Sequence, residues 1–251
     1  MIELIDTHAH LYEISDLKQV LKRAKDFGIT KVISVSSNLE TSKINLKLSN
    51  QYNEPKIYLA LGIHPQNLAI EELEELKLLI AKNIKCIVAL GEIGLDFWIK
   101  EAKQEDKKNL QIKILEEQLD LAYNFGFPVI IHSRGAWKEC FEIISSIDIK
   151  KVVFHWYSGP LDILKEIIER GYFISATPSC EYSRQHQEAI KYTPLENLLL
   201  ETDSPLIYKE WQAEPKDILK VLKGVASLKS ISEEKLAKIT TQNAIELFNL
   251  K

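Results

Sequence analysis

The chain has 251 residues, enough for one large domain or two small ones, and its 45% hydrophobic and 27% charged residues are typical of a globular protein. Three cysteines without a CxxC pair, no signal-peptide pattern and no apolar run of about 18 residues predict a cytoplasmic protein with no membrane association. The net charge of −4 argues against a broad nucleic-acid-coating surface but leaves a polyanionic substrate open, because metal ions in a cleft can supply positive charge locally.

Short apolar, β-branched runs alternate with longer amphipathic stretches from the N-terminus to the C-terminus. The runs are nearly continuous rather than alternating, which predicts strands buried on both faces. The eight predicted strands span residues 3–7, 31–36, 57–61, 87–91, 129–132, 152–155, 172–176 and 198–201.

Amphipathic patterns predict helices between these strands. The clearest span residues 16–27, 110–124 and 161–170, and each ends just before a glycine. Ser15 is a candidate N-cap of the first helix, and Ser232 is one for the last.

Eight strands alternating with helices in about 250 residues predict a single closed (β/α)8 TIM-type barrel. We expect it to form one domain, residues 1–251, because no shift in composition marks a boundary. The alternative is an open doubly wound sheet. Its dinucleotide-binding version is weakened because no G-x-G-x-x-G turn follows an early strand.

Polar residues that could bind a metal fall at the carboxyl ends of these strands, which form the active-site face of a barrel. They are His8 and His10 after strand one, His64 after strand three, Glu92 after strand four, His132 and His155 at the ends of strands five and six, and Asp203 after strand eight. A lone histidine is more often structural or solvated. Five of the six histidines at one end of one fold, with only His186 elsewhere, favour a metal site.

Strand geometry supports metal binding by this set. Residues two apart on a strand share a face, so His8 and His10 can converge on one ion. Glu92 is placed to bridge two ions through its two oxygens, and His132 and His155 lie on adjacent strands. Asp203 would lie beside strand one in a closed barrel, where it could bind metal and also remove a proton from the attacking water.

The chain resembles the TatD family of metal-dependent hydrolases over nearly its whole length. The resemblance is carried by residues 6–10 (DTHAH), 62–65 (GIHP), 91–96 (GEIGLD), 132–134 (HSR), 155–159 (HWYSG), 201–205 (ETDSP) and the tail from Thr240 to Phe248. It implies a TIM-type barrel with a divalent metal centre that hydrolyses phosphodiester bonds, typically of DNA, with metal-activated water.

By position, the resemblance implies that His8, His10, Glu92 and Asp203 hold one ion and that Glu92, His132 and His155 hold the other. Asp203 and Glu92 would be the catalytic residues, with Asp203 accepting the proton of the attacking water. The histidine-rich set favours Zn²⁺ or another transition metal, whereas phosphodiester chemistry often uses Mg²⁺ or Mn²⁺.

Two further residues are candidates for substrate binding. His64 would contact the substrate phosphate, with a structural histidine before Pro65 as the alternative reading. Arg134 would position phosphate, with a surface ion pair as its alternative.

Some positions depart from the family pattern. Gly135 stands where many members have an acidic residue, Trp156 and Tyr157 replace a common Cys-Phe, and residues 211–215 (WQAEP) keep Glu-Pro but lack the preceding Arg-Asn. The aromatic residues that follow strand ends could stack unpaired bases or simply pack the loops: Phe97, Trp98, Trp156, Tyr157 and Trp211.

Two other functions remain open. The first is a metallohydrolase of the same barrel that acts on a small ester, amide, lactone or phosphoester. Such barrels often carry a carboxylated lysine after strand four, where this chain has Glu92. The second is a scaffold protein with a vestigial site, which should have lost at least one of the six metal ligands, and none is missing.

Overall fold

Eight parallel strands form one sheet in the computed structural model, which describes residues 3–251, apart from the side chain of Lys103. The strands are β1 (Leu4–Ala9), β2 (Ile29–Val35), β3 (Lys56–Leu61), β4 (Ile87–Gly94), β5 (Val129–His132), β6 (Val152–Phe154), β7 (Phe173–Ala176) and β8 (Leu198–Leu200). Each strand pairs with its neighbour in sequence. This order is that of a (β/α)8 barrel, so the predicted fold class is confirmed.

The first and last strands meet just beyond the end of β8. The amide of Asp203 donates to the carbonyl of His8 at 3.0 Å, and the amide of His10 donates to the carbonyl of Ser204 at 2.7 Å. The Thr7 hydroxyl also donates to the carbonyl of Leu200 at 3.0 Å. These bonds bring the ends of β1 and β8 side by side at the barrel mouth.

Helices fill the connections between the strands. They are α1 (Leu17–Asp26), α2 (Leu39–Gln51), α3 (Leu73–Lys82), α4 (Glu105–Phe125), α5 (Trp137–Ser145), α6 (Leu161–Glu169), α7 (Arg184–Tyr192), α8 (Ile218–Lys229) and α9 (Glu233–Phe248). Between β8 and α8 lies a small hairpin of β9 (Ile207–Tyr208) and β10 (Trp211–Gln212). Within residues 3–251, none of the helices has the length and apolarity needed to cross a membrane.

The helix ends follow the capping signals with one exception. Gly28, Gly126 and Gly171 all have positive φ after α1, α4 and α6, as a glycine that stops a helix should. The Ser232 side chain accepts from the amide of Lys235 at the start of α9. The predicted Ser15 cap is wrong, because Asp16 occupies the N-cap of α1 and makes no side-chain capping bond.

The apolar core has two layers. The outer layer lies between the strands and the helices, and the inner layer fills the barrel. Alternate strand residues such as Ile130 and Val153 supply the inner layer, which α9 closes from below with Leu247 and Phe248. By the same alternation, His132 and His155 face inward at the barrel mouth, each two residues beyond an inner-layer residue.

Strands β1 and β4 each contain one extra residue relative to a neighbour. Residues 6–9 of β1 pair with residues 32–34 of β2, and residues 90–93 of β4 pair with residues 129–131 of β5. Such a bulge reverses which face the following residues occupy. Ile5 and Ala89 therefore belong to the inner layer, whereas Ala9 and Ile93, at even spacing from them, belong to the outer layer.

Candidate active site

The two bulges carry site residues to the inside of the barrel mouth. Glu92 lies within the bulged end of β4 and His8 within that of β1, rather than after these strands as the sequence predicts. With strict alternation both side chains would point outward, toward the helices. Asp203 has φ +51, in the left-handed region that aspartate tolerates better than most residues.

The structure brings together all six predicted metal ligands. Each of the histidines among them has a ring nitrogen within 3.5 Å of the Glu92 carboxylate, and Asp203 Oδ1 lies 3.5 Å from His8 Nε2 and 3.3 Å from His10 Nε2. The set is His8, His10, Glu92, His132, His155 and Asp203. Side chains from four strands or strand ends, those of β1, β5, β6 and β8, thus gather around the Glu92 carboxylate, which β4 supplies.

The two oxygens of Glu92 face two different groups of nitrogens. Oε2 lies 3.2 Å from His8 Nε2 and 3.5 Å from His10 Nε2. Oε1 lies 2.7 Å from His132 Nδ1 and 3.0 Å from His155 Nε2. A carboxylate that bridges two cations must present its oxygens in this way.

Outer hydrogen bonds fix the orientation of His132 and His155. His155 Nδ1 lies 3.0 Å from Glu201 Oε1, and His132 Nε2 lies 3.1 Å from Asp96 Oδ2. A carboxylate can only accept, so both of these nitrogens carry a proton. With a metal ion at the inner nitrogens, which face Glu92, the two rings would be neutral and their lone pairs would point to the ion. Metal-binding histidines are commonly held by such outer carboxylates.

His64 differs from His132 and His155, because its outer ring nitrogen accepts a hydrogen bond instead of donating one. The amide of Gln66 donates to His64 Nδ1 at 3.2 Å, so in the neutral ring the proton lies on Nε2. That nitrogen lies 3.4 Å from Glu92 Oε1 and 3.3 Å from His132 Nδ1. Burial lowers the pKa of His64, which favours the neutral ring. His64 therefore presents a hydrogen-bond donor at the edge of the cluster.

Both central carboxylates are ionised near neutral pH. Burial acts to raise the pKa of Glu92, but the nearby imidazoles, His155 above all, bring it well below its ordinary value. Burial also acts to raise the pKa of Asp203, and the hydrogen bond from His10 with the surrounding histidines outweighs it, lowering the pKa to about 2. A cluster of buried carboxylates and imidazoles with these properties attracts cations.

Asp96 links several parts of the site. Its fully buried carboxylate accepts from Arg134 Nη2 at 2.8 Å, from Gln66 Nε2 at 2.7 Å and from His132, and its Oδ1 accepts from the amide of Trp98 at 3.1 Å. Arg134 is thus tied to Asp96 while it lines the cleft. The ion pair foreseen as the alternative for Arg134 exists, and its partner is a site residue.

Sequence reasoning assigned no role to Asp96 or Glu201. Both lie in motifs that carry the family resemblance: Asp96 is four residues after Glu92, and Glu201 is two residues before Asp203. Their burial and their hydrogen bonds to His132 and His155 become visible only in three dimensions. The remaining histidine, His186, accepts from the amide of Thr177 and donates to the carbonyl of Tyr157, which is a structural role.

The donor set fits divalent metal ions. Among residues 3–251, side chains whose ligand atoms lie within 4.8 Å of one another include His8, His10 and Glu92 as one group and His64, Glu92 and His132 as another. Several imidazole nitrogens with carboxylate oxygens suit Zn²⁺ and other transition metals, and the carboxylates alone also suit Mg²⁺ or Mn²⁺.

A cleft of about 1180 Å³ opens above this cluster. Trp156 lines it, and so does Gln212, which stands where family members carry the arginine of Arg-Asn. Tyr157 does not fit the base-stacking interpretation, because it is fully buried and its hydroxyl donates to the carbonyl of Pro160 at 2.7 Å. Trp98 is 71% exposed and is not among the residues that line the cleft.

We expect Asp96→Asn to lower metal affinity or turnover by about 10- to 100-fold, as loss of an outer partner of a metal ligand commonly does. Whichever way the new amide turns, its NH₂ group faces donors, either Arg134 and Gln66 or the amide of Trp98. Metal titration and steady-state kinetics check this, with Asp120→Asn on the exposed face of α4 as the control. Unchanged affinity and turnover would contradict this role of Asp96.

Known proteins match this chain along almost its full length. The family described as TatD-related DNase matches residues 5–249. The human deoxyribonuclease TATDN3 is 32% identical, covering 98% of this chain and 95% of the relative, and an uncharacterised metal-dependent hydrolase of Methanocaldococcus jannaschii is 30% identical, covering 98% and 97%. The crystal structure of the TatD homologue YJJV from Escherichia coli superposes with a TM-score of 0.91 at 28% identity, covering 100% of this chain and 99% of that one.

Proposed function

Because this chain belongs to the family of TatD-related DNases, we propose that it is a metal-dependent hydrolase that cleaves phosphodiester bonds of DNA at single strands or ends. The observation that carries the proposal is the Glu92 carboxylate, whose two oxygens face separate groups of histidine nitrogens. That arrangement supports two divalent ions per chain.

We assign His8, His10, Glu92 and Asp203 to one ion and Glu92, His132 and His155 to the other. Two bound ions would lower the pKa of a water molecule and polarise the phosphoryl oxygens. Glu201 and Asp96 keep the protons of His155 and His132 on their outer nitrogens.

Asp203 is the group that accepts the proton of the attacking water in this proposal. Its carboxylate lies beside His8 and His10, and its pKa of about 2 keeps it ionised and ready to accept a proton. A low pKa also makes it a weak base, so its placement matters more than its intrinsic strength.

His64 and Arg134 are assigned to the substrate phosphate. The neutral ring of His64 presents a donor on Nε2, which suits a phosphoryl oxygen and is poorly suited to binding a metal through that atom. Arg134 lines the cleft with its guanidinium anchored by Asp96, so it is pre-oriented.

The proposal is tested with purified protein and end-labelled single-stranded and duplex DNA in the presence of Mg²⁺, Mn²⁺ or Zn²⁺. We expect cleavage that requires a metal and that EDTA abolishes. If every metal fails to support DNA cleavage while a small ester, lactone or phosphoester is hydrolysed, the DNase assignment is wrong and the alternative metallohydrolase takes its place.

Metal binding should also raise the melting temperature of the protein. An ion at 100 times its Kd stabilises the folded state by about 2.7 kcal/mol, which corresponds to a rise in Tm of roughly 5–10 °C for a chain of this size. Differential scanning fluorimetry of EDTA-treated protein with and without added metal measures this shift. An unchanged Tm across all three metals would count against a metal centre.

We further propose a cytoplasmic location. The support is that Cys86, Cys140 and Cys180 are all free thiols, as expected in a reducing compartment.

A further inference from the structure

The two sides of the cleft differ in chemistry. Loops after β1, β2 and β3 line it mainly with polar groups: Tyr12, Ser37, Asn38, Thr41, Gln66 and Asn67. Loops after β6, β7 and β8 contribute Ser158, Ser179, Ser183 and Gln212 together with a group of larger side chains that we call the apolar wall: Trp156, Tyr182, Pro205, Leu206 and Ile207. Strands β2 and β6 are four apart in an eight-stranded barrel, so the two linings lie on opposite sides of the mouth.

Three of the five residues of the apolar wall are exposed, and Trp156 and Pro205 are half-buried. Ile207 is 67% exposed, Tyr182 43% and Leu206 41%. A contiguous exposed apolar surface at a cleft usually marks a binding site.

Trp156 is held rigidly in this wall. Its amide donates to Ser175 Oγ and to Glu201 Oε1, both at 3.1 Å, and its φ of +43 is costly for a bulky residue. Its ring lies 5.5 Å from that of the buried Tyr208. A side chain fixed in advance loses little entropy when a ligand stacks on it.

The wall continues directly from the candidate metal centre. Trp156 follows His155 in the chain, and the amide of Leu206 donates to the carbonyl of Asp203 at 3.0 Å. A group joined to the reacting phosphate would therefore reach the wall.

Positive charge to hold a longer DNA backbone is scarce. Among the described residues that line the cleft, Arg134 is the only Lys or Arg. Beyond the phosphate at the candidate metal centre, affinity for a strand must then come largely from contacts other than phosphate.

We propose that the apolar wall binds one unpaired nucleobase, that of the nucleotide whose phosphate lies at the candidate metal centre. This inference rests on the proposed function. The recognised substrate is a single-stranded end, because a paired base could not turn its face to Trp156. The base contributes affinity by stacking and apolar contact and is selected little by its identity.

Binding of small probes tests the base site apart from catalysis. Thymidine 5′-monophosphate and 2-deoxyribose 5-phosphate share the sugar phosphate and differ in the base. In isothermal titration calorimetry with the metal-loaded protein, we expect thymidine 5′-monophosphate to bind at least about 5-fold more tightly, as stacking on one aromatic ring can provide. Equal affinities would overturn the inference and leave the DNase proposal standing.

Variants of the apolar wall test whether the difference in affinity between the two probes arises there. Trp156→Ala should reduce the affinity ratio of the two probes to near one, and Trp156→Phe should restore part of it. Ile207→Ser, at an exposed position where folding is little affected, should lower the ratio as well. The controls Trp98→Ala and Leu78→Ser change exposed residues of the same chemical type outside the cleft and should leave the ratio unchanged. A ratio insensitive to both wall variants would overturn the inference.

Salt dependence separates a base site from a backbone site. For cleavage of pentathymidylate, we expect log KM to rise with log [NaCl] at a slope of about 0.7, the value for one phosphate contact on a single strand. A slope of about 2 or more would show that the backbone carries recognition, against the inference. If pentathymidylate is not cleaved with any metal, the proposed function itself fails, whatever the probes show.

Discussion

Glu92→Gln is expected to lower kcat/KM by at least about 10³-fold, or roughly 4 kcal/mol of transition-state stabilisation. The reason is that Glu92 is the carboxylate whose two oxygens face both groups of histidine nitrogens, whereas Asp203 faces only His8 and His10 among them. Glutamine keeps the shape but offers one neutral acceptor and an NH₂ group that cannot bind a metal. Both candidate ion sites should therefore lose metal affinity in this variant.

The measurement is metal content by mass spectrometry beside steady-state kinetics. We expect fewer than two ions per chain in Glu92→Gln and two in Glu116→Gln, an exposed position on α4. Full metal occupancy in Glu92→Gln would show that Glu92 does not bridge the ions.

The second large effect is expected for Asp203→Asn, which should retain metal and lower kcat by about 10²- to 10⁴-fold, the usual contribution of a positioned general base. Asparagine can still place an oxygen near His8 and His10, but it cannot accept a proton near neutral pH. The decisive comparison is metal content against kcat. An empty site in this variant would make Asp203 an essential ligand instead of the base, and an unchanged kcat would remove it from both roles.

The barrel and the carboxyl-end location of the polar residues could be predicted from sequence because both follow from local patterns. Val129–His132 and the run ending at Phe154 are short and apolar and are flanked by helix signals, and a histidine falls at the inward position at or just beyond the end of each. Glycines with positive φ mark the helix ends at Gly28 and Gly126. Each of these features depends on residues that are close to it in the sequence.

The sequence does not reveal contacts between residues that are far apart in the chain. Asp96 is buried by contacts with Gln66 and Arg134, which lie 30 and 38 residues away. Tyr157 and Trp156 are adjacent aromatic residues, yet one packs in the core and the other lines the cleft. Neither outcome is encoded in local composition. The two bulges are likewise set by pairing with neighbouring strands.

Because of those bulges, the number of residues in β1 and in β4 matters for function, in addition to which residues they are. A one-residue insertion or deletion between Ile5 and His8, or between Ala89 and Glu92, would leave every predicted ligand in the chain and the apolar pattern of the strands almost unchanged. With the bulge retained, it would make the spacing from the inner-layer residue even and turn His8 or Glu92 toward the helices. In comparisons between distant members of this family, an aligned motif is therefore insufficient evidence of an intact centre. The spacing from the last inward-facing core residue, Ile5 or Ala89, to the ligand has to be preserved as well.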